Sequence, residues 1–210
     1  MALQDGTPAF RCDTSRPDGD SRYPGASRFA QGEVRRRYAF SPTGWEDRVA
    51  TDFELDAARL FLTRRWAALA TLEAGAPLAT MVAYAPEAHL EGVLLLLSEL
   101  AQHTRNLLAD PRVSLVVSDP DGGDGDPQLL PRATLIGEAR SIASDTTEFA
   151  AARLLYLSHF PDAEMRFELA DFHLFRVVPS AVRYVGGFAR AASLSPAALS
   201  QAAAEAVTRT

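Results

Sequence analysis

Hydrophobic and polar positions change their pattern near residue 50. Residues 1–50 are rich in Gly, Pro, Asp, Ser and Arg and show no sustained period, which predicts an extended or partly disordered N-terminal arm. The apolar residues of 52–65 instead recur at near-helical intervals, so this segment is predicted to be a helix with Asp52 as its N-cap. The main domain is therefore predicted to begin at residue 51.

Short apolar or alternating runs, separated by turn residues, continue through the rest of the chain. They predict strands over residues 66–72, 78–84, 93–97, 113–118, 132–141, 172–178 and 181–185. Further helices are predicted over 100–109, from a cap at Asp145 to Tyr156, and from Ser195 onward. Six or seven antiparallel strands with flanking helices indicate an α+β fold with a small barrel. The barrel domain is predicted to span 51–191, followed by a C-terminal helical tail over 192–210.

Composition excludes several functions. All 21 basic residues are arginines, so a lysine Schiff base is impossible, and the single Cys12 excludes an internal disulfide. The net charge is −6, with the acidic excess after residue 50, which argues against a nucleic-acid partner. We find no apolar run long enough to cross a bilayer and no secretory signal, so the sequence predicts a cytoplasmic protein with no membrane partner.

The acidic loop from Asp119 to Pro127 invites comparison with a calcium site. Gly123 falls where the third ligand of an EF-hand loop belongs, and Leu130 takes the place of the closing glutamate. The loop is therefore predicted to be a solvated hairpin tip, and no metal site is predicted.

A polar cluster between two apolar strands has the chemistry of a binding site. Ser98 lies at a strand-to-helix junction, where its hydroxyl can cap the helix, and four polar residues follow within the first turns: His103, Thr104, Arg105 and Asn106. An arginine fork, an imidazole and neutral donors beside a helix start suit a phosphomonoester. The alternative interpretation is an ordinary helix whose polar residues face water.

Three segments in this order resemble a known superfamily: LAQHTRNL (100–107), DPRVSL (110–115) and GGFARA (186–191). Over about residues 52–191 the chain is similar to the pyridoxamine 5′-phosphate oxidase-related FMN-binding split barrels, and within them to the branch of the haem-utilisation proteins. The resemblance implies a split-barrel fold and a homodimer. It also implies that FMN lies in clefts at the subunit interface.

The resemblance also implies roles for individual residues. The strand from Thr80 to Ala83 would line the flavin ring with its backbone, the polar cluster would face the ribityl phosphate, and the turn near Gly187 would lie by the cleft. The predicted cofactor-binding residues are Thr80, Met81, Val82, Ala83, Ser98, His103, Thr104, Arg105, Asn106, Arg132, Gly187, Phe188 and Arg190.

Departures from the true oxidases limit this expectation. Thr80 and Ala85 stand where the oxidases carry arginine and lysine, and His103 replaces the lysine that grips the phosphate. The oxidases' C-terminal Arg-Leu-x-Pro motif is missing too, so oxidation of pyridoxine phosphate is not expected.

Four functions stay open. The favoured one is an FMN-dependent oxidoreductase of unknown substrate, whose catalytic residues the sequence does not identify. A haem-binding or haem-degrading protein is the main alternative, with His89, His103, His159 and His173 as candidate iron ligands. The others are a non-catalytic flavin-binding module and a purely structural barrel. Hydrolytic catalysis has no motif in its favour.

Overall fold

The computed structural model describes residues 51–187 and 190–208. Within them, four α-helices span Asp52–Thr63 (α1), Gln102–Ala109 (α2), Thr147–His159 (α3) and Pro196–Thr208 (α4). Eight strands span Trp66–Glu73 (β1), Ala76–Ala83 (β2), Ala85–Pro86 (β3), Val93–Ser98 (β4), Arg112–Ser118 (β5), Arg132–Ser141 (β6), Phe172–Val185 (β7) and Ala191–Leu194 (β8). Two 3-10 helices cover Pro127–Leu129 and Pro161–Glu168.

The strands form one antiparallel sheet that curls into a half-barrel. The order is β2-β1-β5-β6-β7-β4-β3, and β8 pairs with the second half of β7. β1 and β2 form a hairpin through Ala74 and Gly75, both of which have positive φ angles, the conformation that hairpin turns of this length require. The α+β split-barrel fold predicted from the sequence is confirmed.

β7 is one 14-residue strand, although the sequence predicted two strands around Pro179 and Ser180. The strand continues because its partner β6 shifts register between Ile136 and Gly137, opposite Pro179. Proline has no N–H for a ladder hydrogen bond, and a bulge of this kind lets a strand contain it. A Cβ on Gly137 would lie 2.1 Å from the Val178 carbonyl oxygen, so only glycine fits this position.

The core has two parts, one on each side of the sheet. The larger packs the inner sheet face, with Leu69, Leu115 and Leu135, against α1 and α4. The smaller packs Leu94, Leu96 and Leu174 against Tyr156 and other residues of α3 and the second 3-10 helix.

The C-terminal segment is joined to the larger core. Leu199, Ala202 and Ala203 on α4 are fully buried in it, and β8 begins at Ala191, on the predicted border between domain and tail. Residues 192–208 therefore pack against the barrel core, mostly as helix α4.

Two predicted helix caps are corrected by one residue. Thr51 caps α1 in a capping box with Glu54, and Asp52 is the first helical residue. Thr146, and not Asp145, caps α3 by accepting a hydrogen bond from Phe149 N. In both places a threonine stands beside the aspartate, and either residue type can cap a helix, so sequence alone does not separate them.

Some predictions concern residues that lie outside this description. The arm at 1–50, with Cys12, and the cofactor residue Phe188 are among them. Across the described residues, no helix combines the length and hydropathy that a membrane span requires.

The bulge at Gly137 generates a stability prediction. Gly137→Ala should destabilise the protein by more than about 2 kcal/mol, because the added methyl group cannot avoid the Val178 carbonyl. Gly122→Ala is the matched control, since no atom lies within 4 Å of the added Cβ there, and it should change the free energy of unfolding by less than about 0.5 kcal/mol. Urea titrations measure both, and equal stabilities would contradict the packing described at the bulge.

Candidate functional site

The candidate site surrounds the start of α2, where β4 ends at Ser98. The Ser98 hydroxyl donates to Asp171 Oδ2 (2.6 Å) and accepts from Leu100 N (3.1 Å), so it stabilises the turn before the helix. The prediction that Ser98 caps the helix is wrong. The N-cap is Ala101, which has no side chain able to cap. The first N–H groups of α2 therefore receive no side-chain cap.

His103 of α2 contacts the edge strand of the sheet. Its Nδ1 lies 3.0 Å from Oγ1 of Thr80, which belongs to β2, the edge strand. The side chain is half-buried, and burial lowers its pKa below the ordinary 6.5. The imidazole is therefore neutral at physiological pH.

Two other residues of the predicted cluster are turned into the protein. Asn106 is buried, donating through Nδ2 to Thr71 Oγ1 (3.0 Å) and accepting through Oδ1 from Gln102 (2.9 Å). Thr104 is fully buried, and among the described residues its Oγ1 has no hydrogen-bond partner. Asn106 thus joins α2 to β1, whereas Thr104 keeps an unused hydroxyl.

Arg105 folds back over the turn that precedes its own helix. Its guanidinium donates to the carbonyl oxygens of Glu99 (2.7 Å) and Leu100 (3.0 Å) and to Gln102 Oε1 (2.6 Å). A ligand phosphate would have to compete with these three acceptors.

The predicted residues near the C-terminal end of the barrel form a second group. Arg132 donates to the carbonyl oxygens of Gln128 (2.9 Å) and Leu130 (3.3 Å), and Gly187 has a positive φ of 116° beside the same turn. The Arg190 guanidinium lies over the ring of Phe53, 5.2 Å from its centroid. Between described residues, no hydrogen bond or ion pair connects this group to the α2 cluster.

The remaining predicted residues lie along β2, where side chains alternate between the two sheet faces. Val82 is buried in the main core, and Ala83 is half-buried. Thr80 shares the face of Val82, whereas Met81 points to the opposite, outer face and is 48% exposed.

Two carboxylates, which sequence reasoning missed, lie next to the start of α2. Asp171 binds Ser98, and Glu99 Oε1 lies 2.5 Å from Nε2 of His173. These residues are brought together because Ser98 of β4 pairs with Phe172 of β7. The sequence carried no signal for this pairing, since the two segments are more than 70 residues apart.

The half-barrel and the helix start beside its edge strand define the class of the protein as a split barrel. A model of the family "CREG, beta-barrel" matches residues 55–200, and the chain belongs to this family. The resemblance to pyridoxamine 5′-phosphate oxidase-related split barrels and their haem-utilisation branch is confirmed.

A curated relative is the chloroplastic non-canonical heme oxygenase HOZ of Arabidopsis thaliana, 37% identical over 118 residues. The match covers 56% of this chain and 34% of the relative, so the chain spans about a third of that protein.

Two solved structures are also similar. A heme binding protein from Mycobacterium smegmatis is 30% identical with a TM-score of 0.65, over 73% of this chain and 62% of the other. HutZ, a heme storage protein from Vibrio cholerae, is 24% identical with a TM-score of 0.55, over 61% of this chain and 91% of the other. At this identity HutZ shows the shared fold alone.

The lowered pKa of His103 predicts how stability depends on pH. The folded state binds the imidazole proton of His103 more weakly than the unfolded chain does. The contribution of His103 to the free energy of unfolding is therefore complete above about pH 6.5, and it decreases as the pH falls through the pKa of His103 in the folded state. His103→Gln should remove this part of the pH dependence, which urea titrations at several pH values would measure. An NMR titration that gave His103 a pKa of 6.5 or above would contradict the burial described here.

Proposed function

We propose that this chain binds haem and that His103 would hold the iron. The observation that carries the proposal is the pairing of His103 Nδ1 with Thr80 Oγ1. When Nδ1 carries the hydrogen and donates it to Thr80, Nε2 keeps a lone pair, which is the arrangement that metal-binding histidines use. A neutral, half-buried imidazole suits this role, since a protonated one could not bind iron.

The other three histidines fit this role less well. His173 already uses Nε2 in its contact with Glu99 Oε1. His159 is exposed at the last position of α3, and His89 is exposed in the turn between β3 and β4. Neither has a side-chain partner among the described residues that would fix its ring.

The chemistry of the residues also agrees with haem more than with a free metal ion. No group of three or more His, Cys, Asp or Glu side chains in the described chain could hold an ion by itself. Haem needs only one protein ligand, because the porphyrin supplies four. Bound haem would supply iron redox chemistry, and the residues of this chain would hold and orient it.

The comparisons support this proposal. Two relatives at 30% identity or more are named for haem, one as a heme oxygenase and one as a heme binding protein. The redox activity expected from the sequence then becomes chemistry of the haem iron. Breakdown of haem by this chain belongs to the proposal and is not implied by family membership.

Haemin titration tests the assignment. The wild-type protein should give a saturable Soret band, and His103→Ala should weaken haemin binding by more than about tenfold, because the iron loses its protein ligand. His89→Ala is the control, since that histidine is exposed in a turn, and it should bind like the wild type. Equal spectra and affinities for His103→Ala and the wild type would exclude His103 as the ligand.

FMN is the second candidate, and a separate observation favours it. The start of α2 has no side-chain cap, and the buried Thr104 hydroxyl beside it has no partner among the described residues. A phosphate could accept hydrogen bonds from such groups, and the flavin would then perform the oxidoreductase chemistry. FMN ranks second because the Glu99 and Asp171 carboxylates lie close by and Arg105 is already engaged.

Flavin fluorescence tests this second candidate. If FMN binds, a double change of His103→Ala and Arg105→Ala should weaken its affinity by about tenfold or more, because two phosphate contacts are lost. Arg112→Ala, which removes an exposed arginine paired with Asp110, should leave the affinity unchanged. If the double variant bound FMN like the wild type, the phosphate site would not lie at α2.

We also propose that two copies of the chain form a homodimer beside β2. β2 is an edge strand, so in a single chain the Thr80–His103 pair has the sheet on one side only. A second copy would supply the opposite wall of the cleft and cover the unpaired edge. A cytoplasmic location stays a prediction of the sequence.

A further inference from the structure

A cavity lies where the smaller core meets the surface. It has a volume of about 440 Å³ and opens between the loop from β6 to α3, the end of the second 3-10 helix and the start of β7. Two backbone hydrogen bonds join these walls: Ile142 N donates to the Leu174 carbonyl (2.8 Å), and Phe172 N donates to the Leu169 carbonyl (3.2 Å). The size of the cavity is in the ordinary range for small-molecule sites.

Three half-buried phenylalanines line this cavity. Phe149 of α3 and Phe167 of the second 3-10 helix have ring centroids 6.0 Å apart and planes at 85°, so the two rings form adjoining walls. Phe172 belongs to β7, the third element that borders the cavity. The faces of aromatic rings attract cations. The Arg153 guanidinium already lies over the Phe167 ring, 5.3 Å from its centroid, although Arg153 does not line the cavity.

The charged groups that line the cavity are acidic or already paired. Asp145 is exposed, and no hydrogen bond or ion pair with another described residue engages its carboxylate. Glu168 lies 3.6 Å from Arg153 Nη2, but the same nitrogen lies 3.7 Å from Glu164, so two carboxylates share one guanidinium. Among the described residues no arginine lines the cavity, and His173 is already paired with a glutamate. The net negative charge at the cavity disfavours an anion.

We propose that this cavity binds a small organic ammonium ion with the size and chemistry of choline. The positive nitrogen lies against the Phe149 and Phe167 rings, and the Asp145 carboxylate compensates its charge. The hydroxyls of Ser141 and Ser144 also line the cavity and can bond to polar groups of the ligand. A bare metal ion fits less well, because no group of three or more His, Cys, Asp or Glu side chains in the described part of the chain could hold one.

The ammonium site is separate from the haem site proposed above and from the strand edge beside which a second copy is proposed. No residue of α2, β1, β2 or β5 lines the cavity, which adjoins the smaller core. Occupation of the cavity should therefore leave haemin binding unchanged, and the failure of one proposal would not decide the other.

Amide chemical shifts test the site directly. In NMR spectra of the full chain, choline chloride should cause saturable shifts at residues 143–145 and 168–170, which border the cavity. The neutral isostere of choline, in which a carbon atom replaces the nitrogen, should bind about tenfold more weakly or worse, because it has no charge for the rings and the carboxylate to attract. Sodium chloride at the same concentrations is the control for ionic strength.

Two variants remove the groups that select a cation. Asp145→Asn should weaken choline binding about fivefold or more by removing the unpaired charge, and α3 should stay intact because Thr146 provides its cap. Phe149→Leu should weaken binding by a similar factor, because it removes an aromatic wall and keeps an apolar side chain. Asp162→Asn and Phe160→Leu are the matched controls, since both residues lie at the start of the second 3-10 helix and neither lines the cavity. Circular dichroism and urea titration establish that each variant is folded.

Several results would overturn the proposal. These are no saturable shifts at the cavity with choline, equal binding of the neutral isostere, and wild-type affinity in Asp145→Asn, which decides alone if Phe149→Leu does not fold. Equal losses of affinity in Phe149→Leu and Phe160→Leu would contradict the role of the aromatic walls. Displacement of choline by stoichiometric haemin would contradict it too, by placing both ligands in one site.

Discussion

The pairing of β6 with β7 across the bulge at Gly137 is the constraint on which the rest of the structure depends. β7 is the longest strand and pairs with β6, β4 and β8, so its register fixes three neighbours at once. One end of β7 places Asp171 and His173 beside the start of α2. Its other end leads to Gly187 and Arg190. If β7 ended at Pro179, β8 would lose the partner residues Val182–Val185, and the turn at Gly187 would no longer continue the strand that carries His173.

Alternation along β2 then divides the chemistry of the protein between two faces. Thr80 contacts a histidine on the inner side of the edge strand, whereas Met81 is half exposed on the outer side. The inner side has a neutral nitrogen donor in a polar, carboxylate-rich setting, and the outer side exposes apolar side chains, among them Trp66 and Val116. The two faces of the edge strand therefore differ in polarity, although their residues are neighbours in the sequence.

Much of the fold was predictable from the sequence, because each strand carries its own local pattern. β6 has the predicted bounds, and most other strands agree within two residues. The contacts of the site were less predictable because they depend on register: Thr80 and His103 are 23 residues apart, and Ser98 and Asp171 are 73 apart. Arg105 and Asn106 were expected to face a phosphate. Arg105 instead donates to Gln102 and to the preceding turn, and Asn106 bonds to Gln102 and to Thr71 of β1. These partners belong to the same chain, so they compete with any ligand without the loss of translational entropy that ligand binding requires.

Electrostatics around α2 is the reason that we propose haem ahead of FMN as the ligand of this chain, although its fold is similar to FMN-binding split barrels. A phosphate dianion needs compensating charge, yet this chain has no lysine, its nearest arginine is held by backbone carbonyls, and Glu99 and Asp171 stand beside the helix start. A neutral imidazole that donates a lone pair to iron is much less sensitive to those carboxylates. In the proposed function, His103 stands where the resembling oxidases carry the phosphate-gripping lysine, and it offers a nitrogen lone pair to iron in place of a positive charge for an anion. Because the contact with Thr80 already orients the His103 ring, little reorganisation of this pair would be needed in the proposed haem complex.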